Sequence, residues 1–338
     1  MAAGTKRRVR MSDVAQVAGV SLATVSRALR FPESVSQELR GRIETAAQRL
    51  GYAPNRIAGS LAGAHSPLIG VIVPSLTNAF FATTLERMTV TLEAEGFQLL
   101  IGHHGYDLAR EARIVSAFAG WNPAAIVVTG LDHSRETVAA LSAADCPVVE
   151  MWDLDGHPLD ALVGFSNTEA GRFAGRHMAR AGYDRIAVVC STPDKDPRAA
   201  ARARGVLEAH AEATGGRGKA ALISVDGREL GCGALGLDKA LTEVPDLRAI
   251  AFSGDMLAVG ALFEADRRGI RVPEDLALVG YGDLDIASNT NPPLTTVRPP
   301  RGEIGTAVAE HILKRLKDPD RSGEIVTLNV EMVVRDSG

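Results

Sequence analysis

The chain has little cysteine: Cys146, Cys190 and Cys232 are the three in 338 residues. They are odd in number, widely spaced and form no CxxC pair, which excludes a small stapled scaffold and reads as reduced thiols. Long apolar runs are also missing. The uncharged stretch Ser66–Leu85 is interrupted by Pro67, Pro74, Ser75, Thr77 and Asn78. A membrane span needs about 20 mostly apolar residues, so this stretch reads as a buried strand, a loop and a helix start. Lys6, Arg7, Arg8 and Arg10 run into Ser12 and Asp13 rather than into the apolar core of a leader peptide. A soluble, cytoplasmic protein is therefore expected. No GxSxG elbow, HExxH or Walker motif occurs, and His103–His104 has no partner at metal-ligand spacing. The reading is no enzyme, no metal and no cofactor.

What is present is enough apolar residue for a sizeable core, 46% against 23% charged. The length suggests two or three domains. The net charge of −4 conceals a division. Residues 1–64 hold ten Lys and Arg against Asp13, Glu33, Glu38 and Glu44, whereas the remainder carries an acidic excess. A basic head on an acidic body points to a polyanionic partner for the head alone.

The head reads as short helices. Asp13–Ala18 is apolar-periodic and stops at Gly19; Ser21 can cap a second helix, Leu22–Leu29; Ser36 can cap a third that ends at Gly51. Val14, Ala15, Ala18, Val20 and Val25 form the inward stripe, and the small alanines allow a tight helix-turn-helix. Leu22, Ala23, Thr24, Ser26 and Arg27 face outward on the second helix. There Arg27 can fork onto a guanine edge, Thr24 and Ser26 can reach phosphates, and Leu22 and Ala23 can touch thymine methyls.

DVAQVAGVSLATVSRAL, with VS at 35–36, LGYAPNRIA at 50–58 and SLAG at 60–63, resembles the head of the LacI/GalR family of bacterial transcription regulators. The resemblance extends over nearly the whole chain. It implies that Leu22, Ala23 and Arg27 read bases and that Thr24, Ser26, Ser36, Tyr52 and Asn55 contact the DNA backbone. It also implies a hinge helix in the linker that enters the minor groove, with Leu61 as wedge and Ala58 facing the groove floor. Arg10 departs from the family's usual Thr cap. The expected division is a helix-turn-helix DNA-binding domain over 1–53, a hinge over 54–64 and an effector and dimerisation domain over 65–338.

In the body, apolar runs such as Leu68–Val73, Val148–Met151, Ile186–Val189 and Ala249–Phe252 alternate with helical stretches. The expected class is α/β, two lobes with doubly wound parallel sheets. The resemblance implies a periplasmic-binding-protein-like fold with crossings near Phe165–Asn167, Asn291–Thr296 and Arg321–Glu324. Lobe 1 is then about 67–165 with 297–321, and lobe 2 about 166–295 with 325–338.

Open α/β sheets bind ligands beyond the carboxyl ends of their strands. Strand-end positions give Ser75, Leu76, Thr77, Asn78, Phe80, Phe81, His103, His104, Tyr106, Thr129, Glu150, Trp152, Phe165 and Asn167 from the first lobe. From the second come Arg202, Asp255, Tyr281, Asp283 and Asp285. Aromatic faces beside amides, hydroxyls and carboxylates suit a polyhydroxylated ligand, and Arg202 suits an anionic one. Phe81 and Phe165 read more readily as core, whereas Arg202 matches a family position that contacts effector.

Within the family, PSLTN at 74–78, HHGYD at 103–107, PVVEMWD at 147–153 and VGFSNTEA at 163–170 resemble the gluconate-operon repressor subgroup. That implies a repressor with gluconate or a ketogluconate as effector. Gly254 and Gly282 stand where the family usually carries polar side chains. The other partners implied are a palindromic operator and a second copy of the chain. The tail Arg335-Asp-Ser-Gly carries no leucine heptad, so a dimer is expected rather than a tetramer.

Two other classes compete. Gly231–Gly236 satisfies GxGxxG, but five residues separate it from the preceding strand, against a dinucleotide enzyme. A periplasmic solute receptor shares the lobes but needs a leader and no DNA-binding head.

Overall fold

The computed structural model describes residues 9–30, 32–52, 66–77, 79–192 and 194–338. The chain divides into two compact units, Met1–Ser66 and Pro67–Gly338.

The first unit is built from α1 (Met11–Ala18), α2 (Leu22–Arg30) and α3 (Gln37–Leu50), with a 3₁₀ turn at Pro32–Ser34. Gly19 and Gly51 close α1 and α3 in the left-handed conformation that a side chain disfavours. The Asp13 carboxylate accepts from the Arg10 N–H at 2.8 Å, so an N3 acid steadies the first turn. Ser21 Oγ accepts from the Thr24 N–H at 3.1 Å and Ser36 Oγ from the Leu39 N–H at 3.3 Å. Val14, Val25 and Ile43 meet in the centre of a small core completed by alanines from all three helices. Arg42 donates to the Ala18 carbonyl at 2.7 Å and ties α3 to the exposed end of α1.

The second unit holds two six-stranded sheets. The first lobe runs β1 (Ser66–Val73), α4 (Ala79–Glu93), β2 (Gln98–His103), α5 (Leu108–Ala119), β3 (Pro123–Thr129), α6 (Arg135–Ser142), β4 (Val148–Met151) and β5 (Ala161–Gly164). The chain then crosses into α7 (Asn167–Arg180), β6 (Arg185–Ser191), α8 (Pro197–Ala213), β7 (Lys219–Val225), α9 (Leu230–Glu243), β8 (Ala249–Phe252), α10 (Asp255–Arg267), β9 (Ala277–Tyr281) and β10 (Thr295–Arg298). It returns as α11 (Arg301–Lys317), then adds β11 (Ile325–Thr327) and β12 (Glu331–Val333). The sheet orders are β11-β5-β4-β3-β1-β2 and β12-β10-β9-β8-β6-β7. The recorded pairings are parallel except β10 with β12. Strands buried on both faces, such as Val148–Met151 and Ala249–Phe252, read as continuous apolar runs for that reason.

The first crossing runs from Gly164 at the end of β5 to Asn167 at the start of α7; the other two differ from the positions the resemblance implies. Thr295–Arg298 still belongs to the second sheet, so the return to lobe 1 begins only at α11, where the Thr84 hydroxyl donates to the Arg301 carbonyl at 2.8 Å. The last crossing follows Thr327, not Arg321–Glu324, because Ile325–Thr327 covers the open edge of β5 in parallel register. Residues 325–327 therefore belong to lobe 1, contrary to the expected boundary. The GxGxxG run lies inside α9 instead of at a strand-to-helix turn. Its Gly233 is where α10 approaches: a Cβ there would stand 2.0 Å from the Leu257 carbonyl oxygen.

Helix α8 is fixed by backbone-to-backbone packing on α7. A Cβ at Gly171 would stand 1.9 Å from the Arg202 carbonyl oxygen, and one at Gly205 would stand 2.1 Å from that of Thr168. The cationic face of α8 is thereby held at the first crossing. Among the described residues no helix is long and apolar enough to cross a membrane.

Both sheets and their buried clusters are complete within the second unit. Residues 67–338 produced alone are expected to fold with a cooperative thermal transition. A product that is insoluble, or that melts without cooperativity, would show that the head is needed to fold it.

Candidate functional site

In the head, Leu22, Ala23 and Arg27 are exposed on α2, with Thr24 and Ser26 half-buried beside them. Val25 and Ala28 on the same helix turn inward, which aims this row outward. The Thr24 hydroxyl lies 2.8 Å from Ser21 Oγ, and Ser36 Oγ is engaged by its cap, so both serve the fold as well as any phosphate. Tyr52 packs partly against the head core. Asn55, Ala58 and Leu61 lie outside the described residues, as does Asn78.

Between the lobes of the second unit is a cavity of about 860 Å³. Of the residues expected there, Ser75, Thr77, Phe80, Tyr106, Trp152 and Arg202 line it, as do Leu76, Phe81, His103 and Tyr281. Strand-end reading missed Asp196, Arg198 and Arg228, although these follow β6 and β7 and obey the same positional rule. Charged loop residues look like solvated surface in sequence, and their convergence is visible only once α8 is placed.

The electrostatics are concentrated on lobe 2. Asp196 caps α8 by accepting from the Ala199 N–H at 3.3 Å. Its Oδ2 also accepts from Arg228 Nη2 at 3.1 Å, and its Oδ1 lies 3.7 Å from Arg198 Nη2. Burial disfavours its charge, but Arg198, Arg202 and Arg228 outweigh that and hold its carboxyl below the usual range. Two of these cations reach across to lobe 1. Arg198 donates to the Thr129 carbonyl at 3.3 Å, and the Arg228 guanidinium stacks 3.7 Å above the Tyr106 ring.

Arg202 differs from the other two. It is 9% exposed, donates to Asn167 Oδ1 at 2.6 Å, and lies 4.1 Å over the Tyr281 ring. Its Nε has no hydrogen-bond partner among the described residues, its Nη2 lies 3.5 Å from the Ser253 carbonyl, and its charge acts on Asp196 together with Arg198 and Arg228. Asn167 in turn donates to the Trp152 carbonyl of lobe 1 at 3.1 Å. The amide at the first crossing thus joins the cation to the opposite lobe.

Phe80 accounts for the glycine at 282, whereas a Cβ at Gly254 would make only an ordinary contact with its ring at 3.7 Å. Its ring meets Tyr281 edge-on at 5.5 Å, and a Cβ on Gly282 would stand 2.0 Å from Phe80 Cε1. Gly282 also sits at φ 130°, where a side chain is strained. An aromatic ring from lobe 1 therefore occupies the space beside Gly282.

Five expected ligand contacts lie behind the wall instead. Strand alternation points His103 at the cavity and turns His104 into the protein, where its Nε2 is 3.5 Å from Glu111 Oε2. The Thr129 hydroxyl is spent on the Ile72 carbonyl at 3.1 Å. Glu150 accepts from the Leu159 N–H, and its Oε1 lies 3.5 Å from His133 Nε2. Asp255 is fully buried and accepts from the Thr296 hydroxyl at 2.6 Å and the Leu284 N–H at 2.7 Å; burial pushes its carboxyl up to about 6. Asp283 pairs with Arg298 and Arg335, both at 2.6 Å. Phe165 is core, as expected, and Asp285 begins a short 3₁₀ turn. These groups fix the strand ends on which the lining residues stand.

A helix-turn-helix unit in one chain with a two-lobed, periplasmic-binding-protein-like unit defines a class of transcription regulators. Residues 10–55 match the model of bacterial regulatory proteins of the lacI family, and residues 176–338 match a periplasmic binding protein-like domain. The HTH-type transcriptional regulator GntR of Escherichia coli is 35% identical over 322 residues, 95% of each chain. The crystal structure of a LacI-family transcriptional regulator from Silicibacter pomeroyi is 35% identical with a TM-score of 0.90, covering 97% of this chain and 99% of that one. A transcriptional regulator CelR solved with cellobiose is 26% identical with a TM-score of 0.71, covering 98% and 100%. The chain belongs to the lacI family of bacterial regulatory proteins, which are DNA-binding transcriptional regulators and not enzymes.

Beneath the lobe 1 wall, His133 is buried between two carboxylates, its Nδ1 2.7 Å from Glu111 Oε1. Burial lowers its affinity for a proton, but hydrogen bonds and charge from Glu111 and Glu150 overcome this and raise its pKa to about 9. A raised folded-state pKa stabilises the fold fully below the unfolded value near 6.5 and loses that contribution as pH climbs through 9. Stability should therefore fall by up to about 3 kcal/mol between those limits. His133→Gln should melt lower at pH 7 and lack this fall, as thermal melts across pH 6–9.5 would register. A variant with the wild-type pH profile would contradict the ion-pair account.

Proposed function

We propose that the chain is a repressor that, as a homodimer in the cytoplasm, binds a palindromic operator and responds to a sugar acid held between its lobes. The observation that carries the effector reading is Arg202: a buried guanidinium lining the cavity, with a polar Nε left unpaired. Arg198, Arg202 and Arg228 share the one carboxylate of Asp196; buried cations in excess of their anions are costly, and a ligand carboxylate supplies further counter-charge. Asp196 is already shared by the neighbouring arginines. Ser75, Thr77, Asn78 and Tyr106 are assigned to ligand hydroxyls, and Phe80 and Trp152 to its apolar faces. The solved cellobiose complex of the related CelR supports a sugar-like occupant.

For DNA, Leu22, Ala23 and Arg27 are assigned to base edges in the major groove, and Thr24, Ser26, Ser36, Tyr52 and Asn55 to the sugar–phosphate backbone. Ala58 and Leu61 are assigned to the minor groove. One head makes few contacts, so two heads on a palindrome supply the affinity. A ligand that favours one arrangement of the lobes then changes DNA affinity by the same factor as DNA changes ligand affinity.

Arg27→Ala is expected to cost about 1–3 kcal/mol of specific binding on an operator selected from random duplexes, with non-specific binding little changed. Unchanged operator affinity in a titration at fixed salt would remove Arg27 from the reading face. On the effector side, gluconate or a ketogluconate should raise the melting temperature. Arg202→Ala should weaken that ligand at least tenfold, about 1.4 kcal/mol. Stabilisation by neutral hexoses equal to that by sugar acids would defeat the anionic assignment.

A further inference from the structure

Two arginines of lobe 2 reach strand-end loops of lobe 1, and neither contact involves a chain crossing. Arg198, in the first turn of α8, donates to the carbonyl of Thr129, the last residue of β3, at 3.3 Å. A Cβ at Gly130 would stand 2.3 Å from Arg198 Nη1, so the guanidinium rests on bare backbone at the end of that strand. Arg228, between β7 and α9, stacks 3.7 Å over the ring of Tyr106, in the loop after β2. Both arms start from one anchor. Asp196 is 5% exposed, accepts from Arg228 Nη2 at 3.1 Å and lies 3.7 Å from Arg198 Nη2. Its bond to the Ala199 N–H ties that carboxylate to α8, and the Glu229 carboxylate accepts from the Arg228 backbone N–H at 3.0 Å. On the receiving side Tyr106 sits at φ 64°, a conformation that a bulky residue keeps only when its surroundings enforce it.

We infer that Asp196, Arg198 and Arg228 form a latch that holds the two lobes closed through this chain's own contacts, so that closure of the cleft does not require a ligand. Short crossings between lobes act as hinges, and contacts between strand-end loops exist only while the lobes are together. Arginine suits this duty, because its planar fork offers a face to an aromatic ring while its edge N–H groups serve a carboxylate. Arg228 does both at once, with Tyr106 and Asp196. A cation–π contact of this kind is worth about two- to thirtyfold in an equilibrium between open and closed lobes. Removing both arms is therefore enough to change which state dominates. The edge-on meeting of Phe80 with Tyr281 also joins the lobes, but it is apolar and independent of Asp196.

The test is a pulsed dipolar measurement of the distance between spin labels on Asp132→Cys of lobe 1 and Lys195→Cys of lobe 2, both exposed in strand-end loops. The full chain is used, dialysed and with no ligand added, with Cys146 and Cys232 replaced by serine and the buried Cys190 kept. Labelled chains are diluted with unlabelled ones, so that distances between copies drop out. One short, narrow distance is expected for the parent. Arg198→Ala with Arg228→Ala should move at least half of the population to a longer, broader distance. Tyr106→Leu, made on the opposite lobe, should populate the same longer distance. Adding it to Arg228→Ala should move the population no further, since both remove one contact. A parent already spread over long distances would overturn the latch. So would arginine variants that melt cooperatively and keep the parent distribution, or a Tyr106→Leu variant that does the same.

Discussion

The cleft is organised around three arginines that share one buried carboxylate, Asp196. Arg202 is carried into the interior by a helix packed backbone-to-backbone against its neighbour, and its direct contacts there are an amide, a carbonyl and a phenol ring. Cation–π contact and two hydrogen bonds, the one to Ser253 long at 3.5 Å, offset only part of the desolvation of a guanidinium. On the proposed reading, the remainder is available as affinity for an anion. The two other arginines nearby do not compete for that anion on equal terms, since Asp196 holds one directly and lies close to the second, and both reach across to lobe 1.

The same residue links binding to the geometry of the lobes. Asn167 touches Arg202 with its carbonyl oxygen and lobe 1 with its amide nitrogen, at the first of three crossings. Any anion that draws the guanidinium away from Asn167 acts on the crossing itself. Phe80, seated beside Gly282, and Arg228, stacked on Tyr106, are further contacts through which lobe 1 registers the state of lobe 2. Beneath them, Asp255, Asp283 and the His133–Glu111–Glu150 cluster hold strand ends without touching the cavity. On the proposed reading a few lining groups select the ligand, and a larger set of buried polar groups keeps their positions.

Much of this was legible in the sequence because the governing rules are local. Val148–Met151 and Ala249–Phe252 are uninterrupted apolar runs, and the structure places strands on those same residues. Ser36, Gly19 and Gly51 marked helix ends through capping chemistry. The last strands were not legible: Ile325–Thr327 and Glu331–Val333 are three residues each, half-exposed, and defined only by the edges they cover. In the cleft, position along a strand identified Ser75 and Trp152, and the family resemblance Arg202, but neither could say which way a side chain turns, which is why His104 and Glu150 were misplaced and Arg198 and Arg228 missed. Glycines at 171, 175 and 205 carried a usable signal of close helix approach, and that approach is what delivers Arg202.

The most direct test of the central claim is the NMR signal of the Arg202 Nε–H, assigned by its disappearance in Arg202→Lys and followed while a sugar acid is titrated into the full chain. Neutralisation of Arg202 by the ligand carboxylate predicts that this signal shifts on binding and that its exchange with water slows, since an unpaired donor gains an acceptor. A sugar acid that saturates the protein while the Arg202 Nε–H signal stays where it was, with unchanged exchange, would contradict the account.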